Sequence, residues 1–309
     1  MPIRPGASRP EPPSLPDVFF ADVHPPWVCA ERVRRTQWVR LSRGAYLPVD
    51  VVDPVQQALA RVVAVDHRAV GPHWFSHTSA ALVWGLPLRH LPQVSHLRQR
   101  TRPSANRDVS VVRHAGPVDT VDQAVVSGLP VTGLSLTAAD CLRTLAPLEA
   151  LVVADGALRA GADRARIDAL LAGRRGSGAV RCAVARAVAA VADPGAESIP
   201  ETITRFCLLA AGLPTPQTQV RVATGQGTFW ADLGYPQWKL LIEYDGRSKY
   251  DNPDGFLRER DRQRAVEAEG WRVVRLTRED LRDRARLVRR VRAELPGGLR
   301  VTARPHLTF

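Results

Sequence analysis

The chain has 309 residues, 45% hydrophobic and 24% charged, which is the balance of an ordinary soluble globular protein and excludes a wholly disordered one. Its 43 Lys+Arg against 31 Asp+Glu leave a formal net charge of +12, and a polyanion is the natural partner of such a surface. No run approaches the roughly 20 apolar residues that cross a bilayer, no signal-peptide core opens the chain, and the 4 cysteines form no CxxC pair, so a reducing cytoplasm is expected.

Residues 1–17 are rich in Pro, Arg and Ser with little to bury and read as a disordered arm. WVCAERVRR (27–35) has helical spacing. It is followed by QWVRLSRGAYLPV, in which two strands turn at Arg43-Gly44. Helix and ribbon together suit a small, degenerate winged helix over 18–50, with Arg34 and Arg35 ending its recognition helix and Arg40 and Arg43 on its wing; a plain structural hairpin fits the same residues.

A mixed α/β middle region is expected over 51–192, with helices at 54–67, 74–86 and 147–158 and Arg-rich strands up to His114. Thr137 reads as the cap of a helix containing Asp140. His77 and Asp140 are the tempting polar residues here, and a satisfied structural role is the plainer account of both. Two Ala- and Arg-rich helices flank GRRGSG, and the composition changes after Asp193-Pro194-Gly195, where a boundary is placed.

From 193 to 309 the pattern is helix, strand, strand, strand, helix, strand, helix. SIPETITRFCLLAAGL opens with a capping box, Ser198 and Glu201, which by itself accounts for that glutamate. Asp232 ends one strand of a hairpin, and Glu243 lies in the next, inside an apolar run. Glu243 and Asp245 share a strand face, about 6 to 7 Å apart. Carboxylates so crowded are costly unless a cation compensates them, and clustered oxygen ligands suit Mg2+ (or Mn2+), which activates water and offsets charge on a phosphate under attack.

WADLGYPQWKLLIEYDGRSKY, followed by RERDRQRAVEAEGWRVVRLTREDL, resembles a domain of unknown function related to very-short-patch-repair endonucleases, within the PD-(D/E)XK superfamily. The resemblance covers about the last third of the chain. It implies a restriction-endonuclease-like mixed sheet flanked by helices, with Asp232 and Glu243 holding metal, Asp245 beside them and Glu201 supplied by the helix. The sequence departs from the superfamily at Asp245, where E-x-K has lysine, and at Lys249, where similar domains carry histidine. Lys249 or Lys239 is then the candidate for the missing cation.

Arg258, Arg262 and Arg264 on the following helix form either a solvated face or a phosphate clamp, and Arg275 inside an apolar strand needs a carboxylate such as Glu243 or Asp245. SRGAYLP, HTSAALVWGLPL and GLPVTGLSLTAADCLRTL resemble AbiEi-type antitoxin or transcriptional-regulator proteins, in which a winged helix binds promoter DNA. That resemblance implies DNA contact by Arg34, Arg35, Arg40 and Arg43, and an antitoxin role would bring a toxin as protein partner. Three functions follow: a metal-dependent DNA endonuclease with Glu201, Asp232, Glu243, Asp245 and Lys249 at its catalytic site; an inactive nuclease fold regulating transcription; and a structural or partner-binding protein.

Overall fold

The computed structural model describes residues 9–100, 108–172, 179–245 and 253–307, with side chains throughout except at 179 and 253–259. The described residues form a mixed α/β protein with three sheets. Two compact units divide the chain: Pro10–Thr144 with Ala160–Gly173, and Leu145–Arg159 with Arg174–Phe309.

In the first unit, residues 10–17 are held against the fold, contrary to the disordered arm expected there. Leu15 packs on the apolar core, Gln56 Nε2 donates to the Ser14 carbonyl, and Gly85, at φ +70°, has no Cβ where one would meet the Glu11 carbonyl at 2.0 Å. Composition reveals none of these contacts. Residues 1–8 lie outside the described ones.

β1 (Phe19–Phe20), α1 (Pro26–Arg34), β2 (Trp38–Ser42) and β3 (Ala45–Pro48) follow, and the strands pair antiparallel in the order β1-β3-β2. The turn at Gly44, φ +73°, is where the sequence places it. Phe19 stacks on Trp38 at 4.3 Å. α2 (Pro54–Arg68) is capped by Asp53, whose carboxylate accepts the Val55 N–H, and buries Ala58, Leu59, Val62 and Val65.

The single helix expected over 74–86 is instead β4 (Trp74–Phe75) followed by α3 (His77–Val83). Phe75, wholly buried, pairs with Leu97 and Val131 in a five-stranded sheet, and a short apolar run carries too little periodicity to tell strand from helix. β5 (Ser95–Gln99), β6 (Val111–Ala115), β7 (Gln123–Val126) and β8 (Leu129–Thr132) complete that sheet in the order β6-β5-β4-β8-β7. α4 (Leu134–Thr144) begins before Thr137, so Thr137 is no cap; its hydroxyl donates to the Thr132 carbonyl at 2.9 Å.

α5 (Pro147–Ala160) belongs mainly to the second unit, and α6 (Arg164–Ala172) to the first. The second unit continues with α7 (Ala179–Ala190), α8 (Ile199–Ala210), β9 (Gln217–Thr224), β10 (Gly227–Tyr235), β11 (Leu240–Tyr244), α9 (Pro253–Ala268), β12 (Arg272–Leu276), α10 (Arg278–Arg282) and α11 (Arg284–Ala293). Its sheet runs β12-β11-β10-β9: an antiparallel meander of β9, β10 and β11, then a crossover through α9 to β12, parallel to β11. Leu233, Tyr235, Leu240 and Ile242 pack in one cluster with Cys207 and Leu208 of α8 and Leu287 and Val291 of α11; Val220, Val222, Ala231 and Leu241 pack in another with Val266 of α9.

The boundary expected near Asp193 therefore lies earlier, and residues 18–50 share one unit with much of the middle region. A buried ion pair ties α5 into the second unit. Asp155 of α5 accepts from Arg205 Nη2 through both oxygens, at 2.7 and 2.6 Å, from Thr202 Oγ1 at 2.8 Å and from the Asp193 N–H at 2.8 Å. Both charges are 1% exposed, so α5 cannot be parted from α8 without stranding them. Arg205→Leu is expected to lower unfolding free energy in urea by about 3 to 5 kcal/mol, whereas Arg34→Ala, at an exposed pair, changes it by under about 1 kcal/mol.

Candidate acidic site of the C-terminal unit

Ser198 caps α8. Its hydroxyl accepts the Glu201 N–H at 3.3 Å and donates to Glu201 Oε1 at 2.7 Å, while Oε2 accepts the Glu197 N–H at 2.8 Å. The capping box thus folds the Glu201 carboxylate back into the protein, where the residue is 7% exposed. Burial, and then the charge of Asp232 nearby, push its carboxyl up to about 7.

Asp232 sits where the β9–β10 ladder skips a pair: Ala231 faces Val220 and Leu233 faces Thr218, with Gln219 between them at φ +48°. That left-handed residue is strained backbone beside the acids. Asp232 Oδ2 accepts the Tyr244 N–H at 3.0 Å and so ties β10 to the end of β11.

Glu243 lies one step beyond the Leu233–Ile242 pair and is therefore opposite Asp232 on the hairpin. It is engaged by Arg262 of α9, whose guanidinium also donates to the Trp230 carbonyl and lies 5.8 Å from the Phe229 ring centroid. Arg275 stands across from Glu243 in the β11–β12 register, and the Asp245 N–H extends that ladder to the Leu276 carbonyl.

The structure thus brings Glu201 and Asp232 together and draws Glu243 to α9. Among the described residues no three carboxylates bring oxygens within 4.8 Å of one another, so the four acids expected to converge form no single cluster. Lys239 is turned away, its ammonium donating to the Glu269 carbonyl near the start of β11. Lys249 and the Arg258 side chain lie outside the described residues. Arg264 is exposed, 3.8 Å from Asp261.

Five carboxylates are buried among the described residues. Asp122 meets Arg166, Asp140 meets Arg98, Asp155 meets Arg205, and Asp280 meets Arg286 and Arg290. Glu201 differs: it accepts hydrogen bonds from Ser198 and Glu197 next to another acid, and Arg159, whose charge acts on it, donates a hydrogen bond to the Ala196 carbonyl instead. A buried acid with no guanidinium in ion-pair contact, beside a second carboxylate, is a donor set that a hard divalent cation fits.

In the first unit, Arg34 and Arg35 share Glu31 on exposed α1, Arg40 reaches the Ser42 carbonyl, and Arg43 is exposed at the ribbon turn. Sequence reasoning missed a group there. His77, His96 and His114 come from α3, β5 and β6, and only the sheet unites them. Burial, then the neighbouring imidazoles, hold His77 down at about 2 and His96 at about 4, and burial also lowers His114. Asp140 has the satisfied structural role expected of it, through Arg98.

No protein-family model matches the chain. Two uncharacterized proteins of Mycobacterium tuberculosis, MT2308 of strain CDC 1551 and Rv2248 of strain H37Rv, are each 31% identical over 173 residues, 55% of this chain and 63% of theirs. The chain thus spans less than two thirds of the curated relatives it matches. The crystal structure of RV2827C from Mycobacterium tuberculosis aligns over 67% of this chain and 83% of its own, at 18% identity and a TM-score of 0.38.

Because Asp232 contributes to the raised Glu201 titration, Asp232→Asn is expected to lower the Glu201 midpoint, read by carbon-detected NMR. It stays above an ordinary glutamate, since burial is the larger cause. An unchanged midpoint would show that the two acids do not sense each other.

Proposed function

We propose that the chain is a DNA-binding protein whose C-terminal unit hydrolyses phosphodiester bonds with a divalent cation held by Glu201 and Asp232. The observation that carries this is Glu201, the buried carboxylate that has no guanidinium in ion-pair contact among the described residues and is set against another acid. The helix–meander–helix–strand order, with acids on α8, β10 and β11, supports the likeness to the PD-(D/E)XK superfamily. Magnesium or manganese bound there supplies Lewis-acid stabilisation and an activated water.

The chain's own residues do the rest. Arg262 neutralises Glu243 while DNA is absent. A backbone phosphate is a strong bidentate partner for a guanidinium, so DNA arriving at α9 competes for Arg262 and releases Glu243 toward Asp232 across the hairpin. Asp245 lies beside that pair. The exposed Arg34, Arg35, Arg40 and Arg43 of α1 and the ribbon hold the duplex backbone at the other unit. No helix among the described residues is long and apolar enough to cross a membrane, and the four cysteines are free and buried, which supports a reducing, cytoplasmic setting.

A second function, regulatory binding without cleavage and antitoxin-like, is favoured by Asp245 at the lysine position. One experiment separates the two. Purified chain with supercoiled plasmid and Mg2+ or Mn2+ is expected to nick DNA, and Asp232→Asn and Glu201→Gln to abolish nicking while duplex affinity stays within about threefold. Binding without nicking would leave the regulatory function. Affinity is expected to fall steeply with salt, and Arg40→Ala with Arg43→Ala to reduce the salt slope by about 2. Absence of binding at low salt would overturn both.

A further inference from the structure

The three histidines of the first unit lie within reach of one another, away from the acids of the second unit. His77 opens α3, His96 lies in β5 and His114 in β6. One ring nitrogen from each falls within 4.8 Å of the other two. His96 Nδ1 and His114 Nε2 are 3.0 Å apart, close to the spacing of about 3.3 Å that two imidazole nitrogens adopt on a tetrahedral zinc with bonds of about 2.0–2.1 Å.

The surroundings hold these rings in place. Ser76 donates its N–H to the His96 carbonyl at 3.0 Å, and Ser79 Oγ accepts the His96 N–H at 2.8 Å, so the start of α3 is pinned to β5. His77 takes a left-handed backbone, φ +53°, a conformation that costs energy for a residue with a side chain. Its Nδ1 faces Ser76 Oγ at 2.9 Å and Asp140 Oδ2 at 3.7 Å. Asp140 is itself fixed by Arg98, which stands opposite His114 in the β5–β6 register. A histidine whose one nitrogen faces a hydroxyl and a carboxylate presents the other as a ligand; outer-shell carboxylates orient metal-bound imidazoles in this way.

We propose that His77, His96 and His114 form a binding site for a late first-row divalent ion, zinc or cobalt, distinct from the acidic site of the other unit. Imidazole nitrogens select such ions over magnesium. The rings lie nearly parallel, with His77 on His114 at 3.8 Å, so binding turns at least one ring about its terminal torsion, which is soft for imidazole. The His96–His114 hydrogen bond gives way as the donating ring moves its proton to its other nitrogen. Three neutral imidazoles then offer three lone pairs with no net proton loss, and a fourth position remains for water.

The full chain, stripped with chelator and titrated with cobalt(II) alone, is expected to bind one ion with the visible absorption of a four-coordinate centre, which zinc bleaches. His96→Gln and His114→Gln, at half-buried positions, are expected to bind at least about tenfold more weakly with unchanged circular dichroism, while Asp232→Asn keeps the signal. No uptake of cobalt or zinc by the wild-type chain would overturn the proposal. So would full uptake by either histidine variant, or loss of the signal in Asp232→Asn with retention in the histidine variants, which would assign the ion to the acids.

Discussion

Charge taken out of water must be matched, and in this chain guanidinium groups do the matching. Four of the five buried carboxylates among the described residues hold an arginine, and in Asp155–Arg205 both partners are 1% exposed. An isolated ion costs several kcal/mol to desolvate, so each pair fixes the elements that carry it. Asp155–Arg205 joins α5 to α8, and Asp280 with Arg286 and Arg290 joins α10 to α11. Part of the arginine excess is therefore internal scaffolding, which lessens what net charge alone says about DNA.

The same constraint gives the acidic site its shape. Asp155 and Arg205 hold α8, and the capping box at the start of α8 turns Glu201 inward beside Asp232. Glu201 has hydrogen bonds and the charge of Arg159, but no direct ion pair, to offset its burial, and its proton is held to about 7. Glu243 follows the general pattern and takes Arg262. Two acids with no guanidinium in ion-pair contact and a third paired with Arg262 are the arrangement from which the proposed partner exchange starts.

Much of this was legible in the sequence, for identifiable reasons. The long elements of the second unit declare themselves through period and caps: Ser198 with Glu201 for α8, and the apolar LLI run for β11. The ribbon turn at Gly44 and the antiparallel hairpin carrying Asp232 and Glu243 were legible too. What escaped was set by contacts distant in sequence. Nothing near Asp155 announces Arg205, fifty positions away, so the unit boundary was placed too late. Phe75 is a strand residue because Leu97 and Val131 pair with it. The electrostatic coupling of Glu201 to Asp232 follows the caps and register, but Arg262 meeting Glu243 depends on the pose of α9, and the histidine group depends on strand order. Neither is written in local pattern.

The central claim is that Arg262 withholds Glu243 from the acids beside it until a phosphate takes its place. Calorimetric titration of manganese into the DNA-free chain, wild type against Arg262→Gln, tests it most directly. The account predicts that the variant binds manganese at least about tenfold more tightly, since removing the cation takes one competing charge from Glu243 and lifts its repulsion of the ion. Equal or weaker binding in the variant would contradict it.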